Sequence, residues 1–364
     1  MHKNQILWEN QMKRPSWLLA VTIVIMTMLI GGQEMIAAPE TFNLRFHYFG
    51  PEAIPPGQWS KKAAQRIEEK SKGRIKIKTY FSESLLKYDS TITGTSSGVA
   101  DISFVDPGLF TGQFNLNLVF TRMIMDIPTK KAATKAFREL IRKNPALNKE
   151  LEAKGIRWIS IMAMPGFNIH TTRRPIRTPA DMKGKKISTM GKDPALWIES
   201  MKGAPVQLAP GDWYMSLSRG LVEGQFVHWA AIDSFKLADV FNYHTLLGEE
   251  GAQPSFSGYI INLKTWNKLP KDLQDIIVEA YDWAGDGNLN ALSHEVSQAI
   301  SASKEKGNTF IRLTPDELRQ WADTMVPINN RWIEETEALG LPARKTFDEM
   351  MLLFEKYKQD GAPR

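Results

Sequence analysis

The chain has 364 residues, of which 43% are hydrophobic and 24% charged, a composition typical of globular proteins and sufficient for two domains. It contains no cysteine, which excludes a disulfide framework, cysteine-ligated metal or iron–sulfur sites, a thiol nucleophile and a cysteine-linked lipid anchor. The 46 Lys and Arg residues and 40 Asp and Glu residues leave a net charge of +6, but both signs are spread along the chain without long runs. This distribution argues against a nucleic-acid partner.

The first 38 residues differ in character from the remainder. Lys13 and Arg14 precede an uncharged apolar run from Trp17 to Ile30, and small residues follow up to Ala38. A basic segment, an apolar run and small residues in that order are typical of a secretory signal peptide. The run is about 14 residues long, shorter than the ~20 that span a bilayer, so an uncleaved anchor is the alternative. We therefore predict a cleavable signal peptide over 1–38 and a mature protein in the periplasm.

From residue 42 onward, strand-like and helix-like patterns alternate, which predicts an α/β protein. The predicted strands cover 42–46, 74–81, 100–105, 156–164, 169–173, 186–189, 206–208, 225–229, 257–263 and 309–313. The predicted helices cover 55–72, 130–154 with an interruption near Asn144-Pro145, 194–202, 213–221 and 271–306, followed by two C-terminal helices. A capping box at Thr314 to Glu317 marks the start of the first terminal helix.

The predicted helix over 271–306 bears on the architecture because of its length. Apolar residues recur at helical spacing throughout it, and a continuous helix of this length would extend about 54 Å, against about 30 Å for one small domain. We therefore expect this helix to lie along more than one domain. The alternative is that Gly285 and Gly287 break it into two helices.

One motif resembles a catalytic serine. Gly94-Thr95-Ser96-Ser97-Gly98 matches the GxSxG pattern of a nucleophile elbow, which needs a strand before it and a helix after it. Here a helix-like stretch precedes the motif and a strand follows. We interpret it as a helix C-cap and loop, with an exported serine hydrolase using Ser96 as the less favoured alternative.

No metal or cofactor motif is complete. Asp286, Asn288 and Asn290 have the opening spacing of a calcium loop, but Ala291 and Ser297 replace the required Gly and Glu. The six histidines form no close pair in the sequence, and no phosphate-binding glycine motif is present. The sequence therefore predicts no metal, no cofactor and no enzymatic activity.

Aromatic clusters stand at the ends of predicted strands or the starts of predicted helices. They are His47-Tyr48-Phe49, Trp213-Tyr214 and Phe226 to Trp229. Ligands in open α/β sheets bind beyond the carboxyl ends of the strands, so these clusters favour an aromatic-lined pocket. Core filling is the alternative for each cluster.

Several segments resemble, in order, the solute-binding proteins of tripartite ATP-independent periplasmic (TRAP) transporters, the P subunit of the DctP type. Each segment is weak evidence alone, and their ordered combination over about 42–310 is specific. They are Lys72 to Ile77, Ala100 to Phe104, Thr178-Pro-Ala-Asp-Met-Lys-Gly-Lys-Lys-Ile187, Gly203 to Leu208, Trp213 to Leu217 with Gly220 and Val222 to Gln225, and Trp266 to Asp275.

The resemblance implies a two-lobed periplasmic binding protein of type II-like architecture with a long helix bridging both lobes. It implies a monomer that closes about a hinge on a small organic acid and delivers it to the small and large TRAP membrane subunits. The lobes are expected over 39–163 with 229–262, and over 164–228 with 263–310, while 311–364 form helices packed on them. A solute-binding protein of an ABC importer is the alternative.

The resemblance also locates departures at the ligand site. Relatives that bind carboxylates carry an arginine where Ser188 stands, often a second where Asn168 stands, and an asparagine where Val227 stands. The absence of these arginines, together with the additional aromatic residues, predicts a ligand larger or more aromatic than a C4-dicarboxylate. The candidate cations that would replace the arginines are Lys87, Arg122, Arg173 and Lys192. The predicted ligand-binding residues are Tyr48, Phe49, Lys87, Asp106, Asn168, Ser188, Trp213, Tyr214, His228 and Trp229.

Overall fold

A computed structural model describes residues 40–106, 112–125 and 127–358, and the signal peptide predicted over 1–38 lies outside them. Its strands and α-helices alternate along the chain, which confirms the predicted α/β class. The strands are β1 Phe42–His47, β2 Ile75–Tyr80, β3 Ile102–Val105, β4 Ile156–Met164, β5 Phe167–Thr171, β6 Lys186–Thr189, β7 Ala204–Gln207, β8 Gly224–His228, β9 Tyr243–Leu246, β10 Ser255–Asn262 and β11 Thr309–Arg312.

The helices follow the predicted order with additional short ones. The α-helices are α1 Pro55–Lys70, α2 Thr91–Ser97, α3 Lys130–Lys143, α4 Pro145–Glu152, α5 Lys192–Ser200, α6 Trp213–Ser218, α7 Trp229–Ser234, α8 Leu263–Lys268, α9 Lys271–Glu305, α10 Pro315–Glu337 and α11 Ala343–Lys358. The predicted interruption of the 130–154 helix is confirmed, because Asn144 is the C-cap of α3 and the N-cap of α4. Short 3-10 turns cover Tyr88–Ser90, Leu116–Thr121, Pro179–Met182, Pro210–Asp212 and Leu237–Asp239.

The strands form two sheets. The first has the order β2-β1-β3-β10-β4, and the second has the order β11-β9-β5-β8-β6-β7. In the first sheet β10 runs antiparallel to β3 and β4, whereas in the second β5 runs antiparallel to β8 and β9. The chain therefore passes between the sheets at three places: from β4 to β5, from β9 to β10, and along helix α9.

The sheet assignments divide one segment that the sequence placed in a single lobe. Residues 229–262 were expected in the first lobe, but β9 pairs with β5 and β11 in the second sheet, and only β10 belongs to the first. Strand β9 lacked a sequence signal because it is four residues long and its two central residues, His244 and Thr245, are polar yet buried.

Helix α9 is continuous over 35 residues, so a break at Gly285 and Gly287 is wrong. Its first half packs on the apolar face of the first sheet through residues such as Ile277 and Tyr281, and Ala299 near its end packs in the aromatic core beside the second sheet. The two glycines allow close approach instead. A Cβ on Gly287 would lie 2.4 Å from the Trp59 ring, and one on Gly285 would lie 2.7 Å from the Arg138 guanidinium.

The GxSxG segment has the structure expected of a helix end. It forms the last residues of α2 and its C-cap, Gly98, at φ +83°, where glycine is favoured, and β3 follows. No histidine within the described residues hydrogen-bonds to Ser96. The geometry of a nucleophile elbow is absent there.

The fold brings together two histidines that are far apart in the sequence. His170 on β5 and His244 on β9 are buried, and their Nδ1 atoms lie 2.7 Å apart. Asn308 donates to His244 Nε2 at 3.0 Å, so His244 Nδ1 carries the hydrogen and donates to His170 Nδ1. His170 Nε2 then donates to the Val227 carbonyl at 3.2 Å. This chain of hydrogen bonds requires both rings to be neutral.

We predict that replacing Gly287 with alanine destabilises the fold by about 1–3 kcal/mol, because the new methyl group overlaps the Trp59 ring and overpacking costs more than the gain in helix propensity. Urea unfolding measures the change. The same substitution in a Trp59→Ala background should be neutral or stabilising, since the overlap is then gone. Equal destabilisation in both backgrounds would contradict the close contact.

We also predict that acid destabilises the protein through the histidine pair. Burial lowers the pKa of His244 to about 4 and that of His170 well below its usual value of 6.5. Below pH 6.5 the histidines of the unfolded chain become protonated, whereas those of the native protein stay neutral. The free energy of unfolding therefore falls as the pH falls from 7 towards 4. His244 alone should account for about 2 kcal/mol between pH 7 and pH 5.

Urea unfolding at both pH values, compared between the wild type and His244→Gln, tests this contribution. The variant should show a smaller loss between pH 7 and pH 5, whereas the exposed His294→Gln should behave like the wild type. An unchanged loss in the His244 variant would assign the acid sensitivity elsewhere.

Candidate functional site

A cavity of about 760 Å³ lies between the two sheets. Met164 and Asp106 line it at the ends of first-sheet strands, and Met190 and His228 line it at the ends of second-sheet strands. The carboxyl ends of several strands therefore meet at this cavity, the position where ligands bind in open α/β sheets.

Helices complete the cavity wall. Helix α5 presents its N-terminal residues Lys192, Asp193 and Pro194, and α9 contributes Leu292 and Glu295, one helical turn apart. Aromatic side chains cover much of the remaining wall. They are Phe114, Phe167, Trp213, Phe235 and Trp332.

Three of the ten sequence-predicted ligand-binding residues line this cavity: Asp106, Trp213 and His228. Trp213 is held at the start of α6, where its indole nitrogen donates to the Leu208 carbonyl at 3.1 Å. His228 caps helix α7, because its Nδ1 accepts a hydrogen bond from Ala231 N at 3.2 Å. The hydrogen of the neutral ring is then on Nε2, and burial lowers the pKa of His228 to about 4, so the ring offers a neutral donor.

The aromatic and basic residues predicted near β1 lie outside the cavity. Tyr48 is buried in the first core with its ring against Phe104 at 5.2 Å, and Phe49 contacts Tyr88. Lys87 is exposed and pairs with Glu83 at 3.3 Å. Tyr48 and Phe49 therefore pack against other aromatic side chains, and Lys87 lies at the surface.

The residues predicted in the second sheet are mostly used within its own core. The Asn168 side chain accepts a hydrogen bond from Leu247 N at 2.9 Å, and Ser188 is 1% exposed. Trp229 stacks on Phe310 and contacts the histidine pair, whereas Tyr214 points away to the surface. These four side chains are not among the residues that line the cavity, and the buried Ser188 hydroxyl has no hydrogen-bond partner within the described residues.

Two of the four candidate cations lie at the cavity. Lys192 lines it and pairs with Glu335 at 2.8 Å. Arg122 is completely buried directly behind it, where its Nη2 donates to Asp193 at 2.6 Å and its guanidinium covers the Trp332 ring at 4.4 Å. Arg173 is exposed beside Gly220, and Lys87 is distant as described above.

Sequence reasoning missed several polar lining residues, among them Gln253 and Glu295. Gln253 is 7% exposed and adopts φ +50°, an unusual conformation for a residue other than glycine, and no local pattern indicates it. Glu295 had a usable signal: it lies three residues after the apolar Leu292, which places both on one face of the bridging helix.

Two kinds of feature are absent from the described part of the chain. None of its helices combines the length and the apolar composition needed to cross a membrane. No group of three or more potential metal-ligating side chains comes together in it either.

Comparison with known proteins shows the family. The model of bacterial extracellular solute-binding protein family 7 (DctP) matches residues 46–336. The chain is 24% identical to the C4-dicarboxylate-binding periplasmic protein DctP of Shewanella loihica, over 84% of this chain and 88% of that protein.

Solved structures share the fold. A TRAP solute-binding protein from Rhodoferax ferrireducens in complex with copurified benzoate has a TM-score of 0.73 at 20% identity, covering 88% of this chain and 100% of that one. One from Bordetella bronchiseptica with bound (R)- and (S)-mandelate has a TM-score of 0.71 at 18% identity, covering 86% and 99%. These comparisons confirm the two-lobed fold, and this chain belongs to bacterial extracellular solute-binding protein family 7, that of the TRAP transporter solute-binding proteins.

Proposed function

We propose that this protein is the exported solute-binding subunit of a TRAP-type secondary transporter, capturing a small organic acid and delivering it to the small and large membrane subunits. The observation that carries the proposal is the 760 Å³ cavity between the two sheets of a chain in this family. Its aromatic lining suits a ligand larger or more aromatic than a C4-dicarboxylate. The benzoate and mandelate of the two solved relatives support the same ligand class.

The proposed mechanism is closure about a hinge, with no bond made or broken. The crossings from β4 to β5 and from β9 to β10 lie side by side, and Phe167 and Ala252 exchange backbone hydrogen bonds of 2.7 and 2.8 Å. Gly166 at this point has no room for a side chain, since a Cβ would lie 2.3 Å from the Glu250 carbonyl oxygen. A ligand that binds the closed form better shifts the equilibrium towards it.

The ligand carboxylate is proposed to bind at the N-terminus of α5. Backbone N–H groups at a helix N-terminus attract anions, and Lys192 stands there with Arg122 behind Asp193. The phenyl or other apolar part of the ligand then lies against Trp213, Phe235 and the remaining aromatic wall. This assignment replaces the arginine whose position Ser188 occupies.

The first test is binding of a panel of organic acids, measured by thermal shift and then by calorimetry. We expect at least one aromatic or apolar monocarboxylate to raise the melting temperature and to bind tightly, with succinate, malate and fumarate weaker, because a ligand that binds only the native state stabilises it. Tight binding of those C4-dicarboxylates alone would contradict the proposed ligand class. No binding by any acid would contradict the proposed function.

The second test is Lys192→Met. Removing a charged partner of the carboxylate should weaken the best acid ligand by about 10- to 100-fold, because charge-assisted hydrogen bonds to ligands are worth roughly 1.5–3 kcal/mol. Lys264→Met, at an exposed position on α8, is the matched control and should bind like the wild type. An unchanged affinity in the Lys192 variant would move the carboxylate site elsewhere in the cavity.

A further inference from the structure

The charged side chains at the cavity are unevenly balanced. Lys192 is the one lysine or arginine among the described lining residues, and it already pairs with Glu335 at 2.8 Å. Asp193 is neutralised by Arg122 at 2.6 Å. Each cation at this site thus already contacts one carboxylate of the protein, and the buried Arg122 Nη1 is a donor without a protein partner in the described part of the chain.

Glu295 is the lining carboxylate without such a partner. Within residues 40–106, 112–125 and 127–358, no side chain or backbone group forms a hydrogen bond or ion pair with its carboxylate. Asp233 on the adjoining helix α7 is a second negative charge that acts on the Glu295 carboxylate. Burial and, secondarily, Asp233 raise the pKa of Glu295, while His294 lowers it.

Gln253 supplies a second acceptor that lacks a donor. The Gln253 amide nitrogen donates to the Thr121 carbonyl at 3.4 Å. Its Oε1 atom is buried and has no hydrogen-bond partner within the described residues. The residue keeps this position despite an unfavourable φ of +50°. Unsatisfied buried acceptors are costly, and a ligand that brings hydrogen-bond donors would satisfy them.

We propose that the ligand of this cavity is an amino acid with an aromatic or apolar side chain, whose ammonium group is bound by Glu295. An ammonium group offers three donors and a positive charge, whereas a hydroxyl group would leave the Glu295 charge uncompensated. The inference rests on the proposed function, since it assigns a second charged group to the same organic acid. It assigns the carboxylate to the start of α5 and the ammonium group to Glu295 of α9, two elements that line the same cavity.

The test uses ligands that differ at one carbon atom. Phenylacetate, mandelate and phenylglycine carry hydrogen, hydroxyl and ammonium at the same position, and isovalerate, 2-hydroxyisovalerate and valine form an aliphatic series. Calorimetry on the full mature protein should give the tightest binding for the amine member of at least one series. Equal or tighter binding of the hydroxyl or unsubstituted member overturns the inference and leaves the proposed function standing.

Glu295→Gln keeps the shape of the side chain and removes its charge. It should weaken the amine ligand by about 10- to 100-fold, without weakening the matched acids that lack the amine. Glu305→Gln, an exposed position on the same helix, should bind as the wild type does. Equal weakening of all members in Glu295→Gln would make the residue structural and overturn its assigned role.

Binding of other organic acids while no member of either series binds would likewise overturn the inference. No binding of any acid, amine-bearing or not, would overturn the proposed function itself. The outcomes therefore separate failure of the ammonium assignment from failure of solute binding.

Discussion

The close approach of helix α9 to the first sheet is the contact on which the arrangement of the molecule depends. Arg138 occupies the space left by the missing side chain of Gly285 and donates to the Ile161 carbonyl of β4, to the Asp282 carbonyl and to the Asp286 carboxylate of α9, at 3.1, 2.8 and 2.8 Å. A buried guanidinium with several acceptors is well satisfied and fixes the helix in position and register. The helix then continues as a rigid rod, so Glu295 is carried about 12 Å beyond Gly287 to the cavity.

A second helix makes a similar connection. Trp321 and Met325 in α10 pack in a core of the second sheet, while Trp332 and Ile333, two to three turns later, pack in a core of the first. The same helix presents Trp332 and Glu335 to the cavity. Rigid helices and a pair of hydrogen-bonded crossings thus join the sheets, and a hinge motion would have to be absorbed at a few residues between them.

The polar groups of the cavity differ in kind from those that the family resemblance suggested. Ser188 and Asn168 stand where arginine is expected, and both are buried within the second sheet's own core. The charges next to the cavity instead come from the start of α5, from the buried Arg122 and from α9. The proposed function therefore assigns recognition of the ligand's charge to helix residues outside the strand motifs, which line the same cavity as the aromatic side chains.

Local pattern alone determined much of this protein. The alternation of strands and helices, the continuous apolar face of α9, the cap at Gly98 and the break at Asn144-Pro145 all follow from interactions within a few residues, and the ordered motifs identified the family. Tertiary structure alone decided that β9 joins the second sheet, that His170 meets His244, and that Asp106, Trp213 and His228 reach the cavity while Tyr48 and Trp229 do not. Side-chain type and spacing indicate which residues can be buried or form hydrogen bonds. The pairing of Arg122 with Asp193 and the lack of a partner for the Glu295 carboxylate within the described residues depend instead on segments that are far apart in the chain and meet only when it folds.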